Sequence, residues 1–307
     1  MIQSIVVTNH LGESLTLSMG SPSLSGFSVR GITGLVPPKA SINMTEVLTL
    51  DGGYYNSSRV SYRNIVLTLG FHAGVIDNVY YSIEDIRLKS YRYFPIKKEV
   101  ELLITTENRS VIAVGRVESN EPTIFSKDQT THISIICPDA YFYDSVTEFS
   151  AFTYITPLFK FPFSNESTSQ KLLNLGAITL QTEKSIVYEG DSEVGVLIRI
   201  HAIGSVSDLT IYNATSNETM FINTTILATL TGNVIIAGDD ILISTVKGSK
   251  YIYLVRNGVA INILPCLANT STWFQLVSGD NLFNYSAVSG TNNISFSIEY
   301  DQLYEGI

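Results

Sequence analysis

The 307-residue sequence has few charged side chains, only two cysteines and no long hydrophobic run. Asp, Glu, Lys and Arg make up 15% of the chain and hydrophobic residues 45%, which argues against a disordered chain and provides apolar material for two cores. Cys137 and Cys266 lie far apart, and we expect two free thiols rather than a disulfide.

No apolar segment approaches the ~18 residues of a transmembrane helix, and the first residues lack a signal-peptide pattern. We therefore expect a soluble protein made in a cytosol.

Clusters of lysine and arginine are also absent. The chain has 28 acidic residues against 19 basic ones, which gives a formal net charge of −9. Because an acidic surface repels phosphates, we expect no stable binding of nucleic acid.

The common catalytic and nucleotide-binding motifs are missing. There is no G-x-S-x-G, no H-E-x-x-H, no P-loop, no G-x-G-x-x-G and no C-x-x-C. Two of the 28 acidic residues could still pair in space as in a glycosidase, but the adjacent Asp239 and Asp240 are predicted to form a turn that opens a strand. We predict no enzyme activity, catalytic residue, cofactor or metal. The four histidines are isolated in sequence and give no zinc pattern: His10, His72, His132 and His201.

The stretch "THISIICPDAYFYD", which begins at Thr131, brings a histidine, a cysteine and two acidic residues close together in sequence. Alternation along a strand places His132 and Cys137 on opposite faces, so we expect no activated thiol. Pro138 ends the strand. We interpret the stretch as the last strand of a first domain, followed by a hinge.

One helix is predicted in the first half. Ser82 is suited to be its N-cap and Asp85 completes a near capping box, while Pro95 ends the helix. The helical stripe is imperfect because Ser90 lies within it and Leu88 points to the opposite side. The apolar face is predicted to contain Ile83, Ile86 and Tyr93. The remaining strong patterns have the two-residue period of half-buried strands: Gln3–Thr8, Asn64–Phe71, Glu99–Thr105, Val111–Val117 and His132–Cys137.

The second half is predicted to contain only short strands. Turn signals separate them, which favours an antiparallel sandwich without a helix. Pro157 and Pro162 disfavour a central strand in the segment between the halves. The predicted fold class is therefore mainly β: an α+β N-terminal domain with one helix at 1–145, a linker at 146–170 and an all-β C-terminal sandwich at 171–307.

Two groups of residues are candidates for binding surfaces. The segment "DGGYYNSSRVSYRN" is rich in tyrosine and arginine, which are enriched at interfaces. The alternative is a hairpin loop that leads into the next strand. The candidate oligomer-interface residues are Tyr54, Tyr55, Arg59, Tyr62 and Arg63. The second group, a candidate sugar platform, is Trp273, Tyr251 and Tyr253. The alternation around Trp273 favours instead a strand that is packed on both faces, with a core or interface role for Trp273.

Four longer stretches carry a family resemblance. Their order and spacing resemble the distal tail protein (Dit) family of long-tailed phages that infect Gram-positive bacteria. The stretches cover nearly the whole chain: Gly31–Phe71 ("GITGLVPPKASINM" onward), Tyr91–Tyr143 ("YRYFPIKKEVELLI" onward), Glu189–Glu218 ("EGDSEVGVLIRIHA" onward) and the C-terminal stretch beginning "STWFQLVSGDN".

The resemblance implies a structural protein without catalysis. Family members form a ring, usually a hexamer and in some cases paired rings, through the N-terminal domain. The ring joins the tail tube protein to the tail-tip proteins of the virion, after assembly in the bacterial cytoplasm. The resemblance implies a galectin-like C-terminal sandwich outside the ring, which often docks receptor-binding proteins. No individual binding residue can be transferred, because the family has no fixed catalytic signature.

Two hypotheses of function follow. The leading one is a tail-tip assembly protein, with acidic groups of the N-terminal domain facing a channel that passes DNA. The alternative is a cell-wall carbohydrate-binding module or adhesin.

Overall fold

The structure, a computed structural model, describes residues 1–19, 24–46, 48, 51–157 and 176–307. For residues 154–157 and 176–180 it describes the backbone. It divides into two compact units. The first contains Met1–Val146 and Leu303–Ile307, and the second contains Thr147–Gln302. Both consist mainly of antiparallel strands, which confirms the predicted mainly-β fold class. Within the described ranges, no helix is long and apolar enough to span a bilayer.

Among its described residues up to Asp144, the first unit contains twelve strands and one α-helix. They are β1 Ile2–Asn9, β2 Ser14–Ser18, β3 Phe27–Thr33, β4 Ala40–Glu46, β5 Gly53–Val60, β6 Arg63–Phe71, β7 Gly74–Ile76, β8 Val79–Tyr81, α1 Ile83–Tyr93, β9 Glu99–Thr106, β10 Ser110–Pro122, β11 Thr130–Cys137 and β12 Phe142–Asp144. The main sheet has the order β2-β1-β9-β10-β11-β6-β3, while β4–β5 and β7–β8 are separate hairpins. The five strands predicted from alternation are all confirmed.

Alternation builds the core of this unit. In β11, Ile133, Ile135 and Cys137 are buried, whereas His132 is exposed and Ser134 is half-buried. The same period on β1, β6 and β9 buries one row of branched side chains on each strand. These rows meet in one hydrophobic cluster.

Helix α1 closes this cluster and begins as predicted. The Ser82 side chain accepts a hydrogen bond from the Asp85 amide, and the Asp85 side chain accepts one from the Ser82 amide. Ile86 and Ser90 are the buried residues, and Leu88 is exposed, as expected. The Ser90 hydroxyl donates to the carbonyl of Arg87 at 2.7 Å, so a polar group is accommodated inside the stripe.

The end of the chain returns to the first unit. The C-terminal strand, Leu303–Tyr304, pairs with β12, and the Ile307 amide donates to the Leu35 carbonyl at 3.1 Å. The predicted range 171–307 therefore differs from the second unit, which ends at Gln302. Strand β12 also follows β11 within the first unit, so β11 is not its last strand. The C-terminal strand has only two residues, which is too short for a periodic pattern in the sequence.

The second unit contains fourteen strands, one helix and two short 3-10 helices among the described residues. They are β13 Glu148–Ala151, β14 Thr153–Pro157, β15 Gly176–Leu180, β16 Glu183–Tyr188, β17 Val194–Gly195, β18 Leu197–Ala202, β19 Ser207–Asn213, β20 Glu218–Ile222, α2 Thr224–Thr231, β21 Asp240–Ser244, β22 Tyr251–Arg256, β23 Val259–Asn262, the 3-10 helix Leu264–Cys266, β24 Gln275–Leu276, β25 Gly279–Ser289, the 3-10 helix Thr291–Asn293 and β26 Ile294–Tyr300. Two of these strands lie in the predicted linker, and residues 158–170 of that linker are outside the described ranges.

The two larger sheets of this unit form the predicted sandwich. One sheet has the order β13-β26-β18-β21-β22-β23 and the other β16-β25-β19-β20. Aromatic side chains from both sheets fill the space between them: Tyr285 on β25 stacks on Phe296 of β26 with ring centroids 5.0 Å apart. Tyr188 on β16 meets Tyr300 on β26 edge to face.

Helix α2 contradicts the prediction of an all-β second domain. The Asn223 side chain accepts hydrogen bonds from the amides of Thr225 and Ile226, and Gly232 ends the helix with a left-handed backbone. Its sequence, "TTILATLT", is rich in β-branched residues, whose intrinsic preference is for strands. Capping and the burial of Leu227 override that preference here.

Candidate interaction surfaces

The reactive side chains of the "THISIICPDAYFYD" stretch lie apart. The His132 Nδ1 atom is 3.0 Å from the Thr68 hydroxyl on the exposed face of the sheet. Cys137 is on the opposite, buried face, and burial raises the pKa of its thiol to about 11. A thiol with this pKa is protonated at neutral pH and is a poor nucleophile. Cys137 and Cys266 are both free, as predicted, and both are buried.

The acidic pair in the second unit has structural partners. Asp239 is buried and receives two hydrogen bonds from Arg256, at 2.8 and 2.6 Å, while its carboxylate also accepts from the Ile236 amide. Asp240 opens β21 and its carboxylate lies 2.6 Å from the His201 ring nitrogen. In the part of the chain that the structure describes, no cluster of three or more His, Cys, Asp or Glu side chains has the arrangement of a metal site.

The hairpin β4–β5 is the most exposed element of the first unit. Every residue of β4 is exposed, and β5 is exposed up to Arg59. The register pairs Ile42 with Ser58 and Met44 with Tyr55, with a bulge at Asn56 between these pairs. Directly paired residues lie on the same face of a hairpin.

This register makes the hairpin amphipathic. The face that we call the apolar hairpin face contains Ala40, Ile42, Met44, Tyr55 and Val60, and it also carries Ser58, Glu46 and Gly53. The exposed fractions of its three largest side chains are 61% for Ile42, 54% for Met44 and 63% for Tyr55. An isolated two-stranded hairpin is marginally stable in water, and clustered exposed apolar groups are typical of interaction sites. The opposite face is mainly polar, with Ser41, Asn43, Thr45, Ser57 and Arg59 beside the exposed Tyr54.

The structure separates the predicted interface residues into two groups. Tyr54, Tyr55, Arg59 and Tyr62 are exposed at or beside this hairpin. Arg63 is only 3% exposed, so the prediction that it lies on an interface surface is wrong. It belongs instead to the interior of the first unit.

The guanidinium of Arg63 has a structural role. It donates hydrogen bonds to the carbonyls of Gly34, Val36 and Ala140 at 2.6 to 2.9 Å and to the carbonyl of Glu305. It also lies over the ring of Phe142, 4.1 Å from the centroid. Burial lowers the pKa of this guanidinium from its ordinary value.

The predicted sugar-platform residues are in the second unit. Tyr251 and Tyr253 are both half-buried on β22, with ring centroids 5.2 Å apart. Trp273 is half-buried, and the Lys250 ammonium lies 5.6 Å from the centroid of its indole. Since Lys250 directly precedes Tyr251, all three aromatic residues lie near one end of β22. The chain around Trp273 is a strand only at Gln275–Leu276, so the expected strand packed on both faces is wrong there.

Sequence reasoning missed Ile42 and Met44 as surface residues. The alternation in "ASINMTE" was available as a signal of an amphipathic strand. The bulge aligns Tyr55 with Met44 and Ile42. Because the bulge depends on how the two strands pair, no pattern in the sequence indicates it.

No protein-family model and no curated protein matches the chain. Among solved structures, the SPP1 Dit (gp 19.1) protein matches with a TM-score of 0.64 and 11% identity, over 97% of this chain and 98% of that one. That protein is described as a paradigm of the hub adsorption apparatus in phages infecting Gram-positive bacteria. Chains of the phage P2 baseplate in its activated conformations with Ca and with Sr match with TM-scores of 0.49 and 0.47, at 12% identity and full coverage of both chains. The chain therefore has a Dit-like fold, which confirms at the level of the fold the resemblance that its sequence indicates.

Proposed function

We propose that this chain is a structural protein of a phage tail tip. The fold match over 97% of the chain to a hub protein supports this role. The two thiols are buried, and the buried carboxylate of Asp239 is paired with Arg256.

Copies of the chain would associate through the first unit into a closed ring. The observation that carries this proposal is the apolar hairpin face, which the single chain leaves exposed. A ring needs two different complementary surfaces on each subunit. The hairpin β7–β8 offers a second apolar surface, since the paired residues Val75 and Tyr80 are exposed there on one face. A second copy of this chain is thus the occupant that we assign to the apolar hairpin face.

By analogy with the Dit family, the ring would be hexameric and would join the tail tube protein to tail-tip proteins of the virion. The second unit would then be available for docking receptor-binding proteins. This arrangement uses the protein as a scaffold and requires neither cofactor nor metal.

The mass of the purified chain in solution tests the proposal. Light scattering should give a particle of about six copies of the 33.8 kDa chain, or about twelve if rings pair. A monomer at micromolar concentration that binds cell-wall polysaccharide would instead support the adhesin alternative.

The acidity of the chain fits a channel that passes DNA without retaining it. Our hypothesis is that acidic groups of the first unit face this channel, which the net charge of −9 motivates. Purified particles should show no retention of a duplex DNA fragment in a mobility-shift assay at physiological salt. Tight binding under these conditions would refute the hypothesis.

A further inference from the structure

The outer face of the six-stranded sheet combines aromatic rings with paired charges. Strand alternation buries Ile198, Ile200, Ile252 and Leu254 on its inner face. The opposite face, which we call the polar sheet face, contains Arg199, His201, Leu242, Tyr251, Tyr253 and Glu299.

The strand register brings these side chains together. Arg199 pairs with Leu242, and Leu242 pairs with Tyr253, so the three lie in one row across adjacent strands. In the next row, Leu197 separates Glu299 from Ser244, which in turn pairs with Tyr251. Neighbouring strands are about 4.8 Å apart, so the backbones of Arg199 and Tyr253 are separated by about 10 Å and those of Glu299 and Tyr251 by about 14 Å. The side chains of Glu299 and Tyr251 nevertheless line one cleft.

The aromatic part of the face is a pair of tyrosine rings. Their centroids are 5.2 Å apart and their planes are inclined by 36°, so the two rings are tilted against each other. Beside Tyr251 is an open cleft of about 260 Å³, also lined by Leu197, Ser244, Glu299 and Asp301. This cleft is smaller than the ~300–1,000 Å³ pockets that enclose drug-sized ligands. It fits a single ring-sized group.

The charged part of the face is already paired and oriented. Arg199 binds Glu299 through two contacts, Nε to Oε1 at 2.9 Å and Nη2 to Oε2 at 3.4 Å. His201 and Asp240 form a second pair at 2.6 Å. Two of the five guanidinium N–H groups are used in the first pair, and the others remain able to donate. Because Arg199 and Glu299 neutralise each other, a strongly charged ligand gains little from this pair.

We propose that the polar sheet face binds a neutral sugar ring. A pyranose has a face of C–H groups that suits an aromatic surface, and a rim of hydroxyls that both donate and accept hydrogen bonds. The tyrosine pair would contact the C–H face, and the Arg199–Glu299 pair would bind the hydroxyls. A protein partner would cover a larger area than one sugar ring and would have to desolvate the Arg199–Glu299 pair more completely, which is costly. This inference is independent of the proposed ring.

Saturation-transfer NMR with the purified chain tests the proposal, using D-glucose, D-galactose and N-acetyl-D-glucosamine as probes. At least one sugar should bind, and Tyr253→Ala should weaken its affinity by about tenfold, because a ring contact is lost. Arg199→Gln should weaken binding similarly. The matched control is Tyr212→Ala, which removes an exposed tyrosine from the other sheet and should leave binding unchanged.

The thermal unfolding temperature of each variant shows whether a loss of sugar binding comes from a lost contact or from a poorly folded chain. If Tyr253→Ala is poorly folded, Arg199→Gln alone decides the outcome, since its side chain is 52% exposed. Failure of all three sugars to bind would overturn the proposal, as would binding that both variants retain. Particle mass should be the same in all three variants, so a loss of sugar binding can be distinguished from a failure of ring assembly.

Discussion

The guanidinium of Arg63 binds three segments of the first unit that are distant from one another in sequence. Its acceptors are the carbonyls of Gly34, Val36, Ala140 and Glu305, the last of which is 242 positions away. The tyrosine- and arginine-rich sequence around it suggested an exposed interface. No local pattern distinguishes a buried arginine from an exposed one, because the difference depends on where distant carbonyls lie in the fold.

Replacing Arg63 should therefore destabilise the first unit. Arg63→Ala removes the donors of buried carbonyls and the ring contact with Phe142, at an expected cost of roughly 2–4 kcal/mol in the free energy of unfolding. Arg59→Ala is the matched control, since this side chain is exposed on the hairpin, and should change stability by about 0.5 kcal/mol or less. Urea unfolding measures both values. Equal stability of the two variants would contradict the role assigned to Arg63.

Other single residues could be placed from sequence because their partners are close. The capping box of Ser82 and Asp85 connects residues three positions apart. The opposite orientations of His132 and Cys137 follow from strand alternation alone.

At the scale of elements, period and capping predicted most of the first unit. The long strands have strong periodic patterns that match their burial, and helix α1 combines an imperfect apolar stripe with a clear capping box. Helix α2 was missed because Thr and Ile favour strands, while the decisive groups are the Asn223 cap and the buried contacts of Leu227.

The hairpin β4–β5 was predicted only in part. Its tyrosines indicated an interaction surface, but its apolar face depends on the register and on the bulge at Asn56. A shift of one residue would place Tyr55 among the polar residues. For the same reason, the polar sheet face could not be assembled from sequence: its residues come from β18, β21, β22 and β26.

At the scale of the whole molecule, the sequence predicted two units and a mainly-β fold. The return of the last residues to the first unit was not predictable, because Leu303 and Tyr304 form a pairing too short to show a period. The number of copies in the proposed ring comes from the family resemblance, since composition and alternation say nothing about symmetry.

The proposed ring is tested most directly by the particle mass of two hairpin variants, measured by light scattering. Tyr55→Asp places a carboxylate on the apolar hairpin face, whereas Ser57→Asp places the same group on the polar face of the same strand. Burying an unpaired carboxylate at an interface is strongly unfavourable. We predict that Tyr55→Asp reduces the particle from about six copies to single folded chains and that Ser57→Asp retains the wild-type mass. Wild-type mass in both variants would contradict the claim that this face holds the ring together.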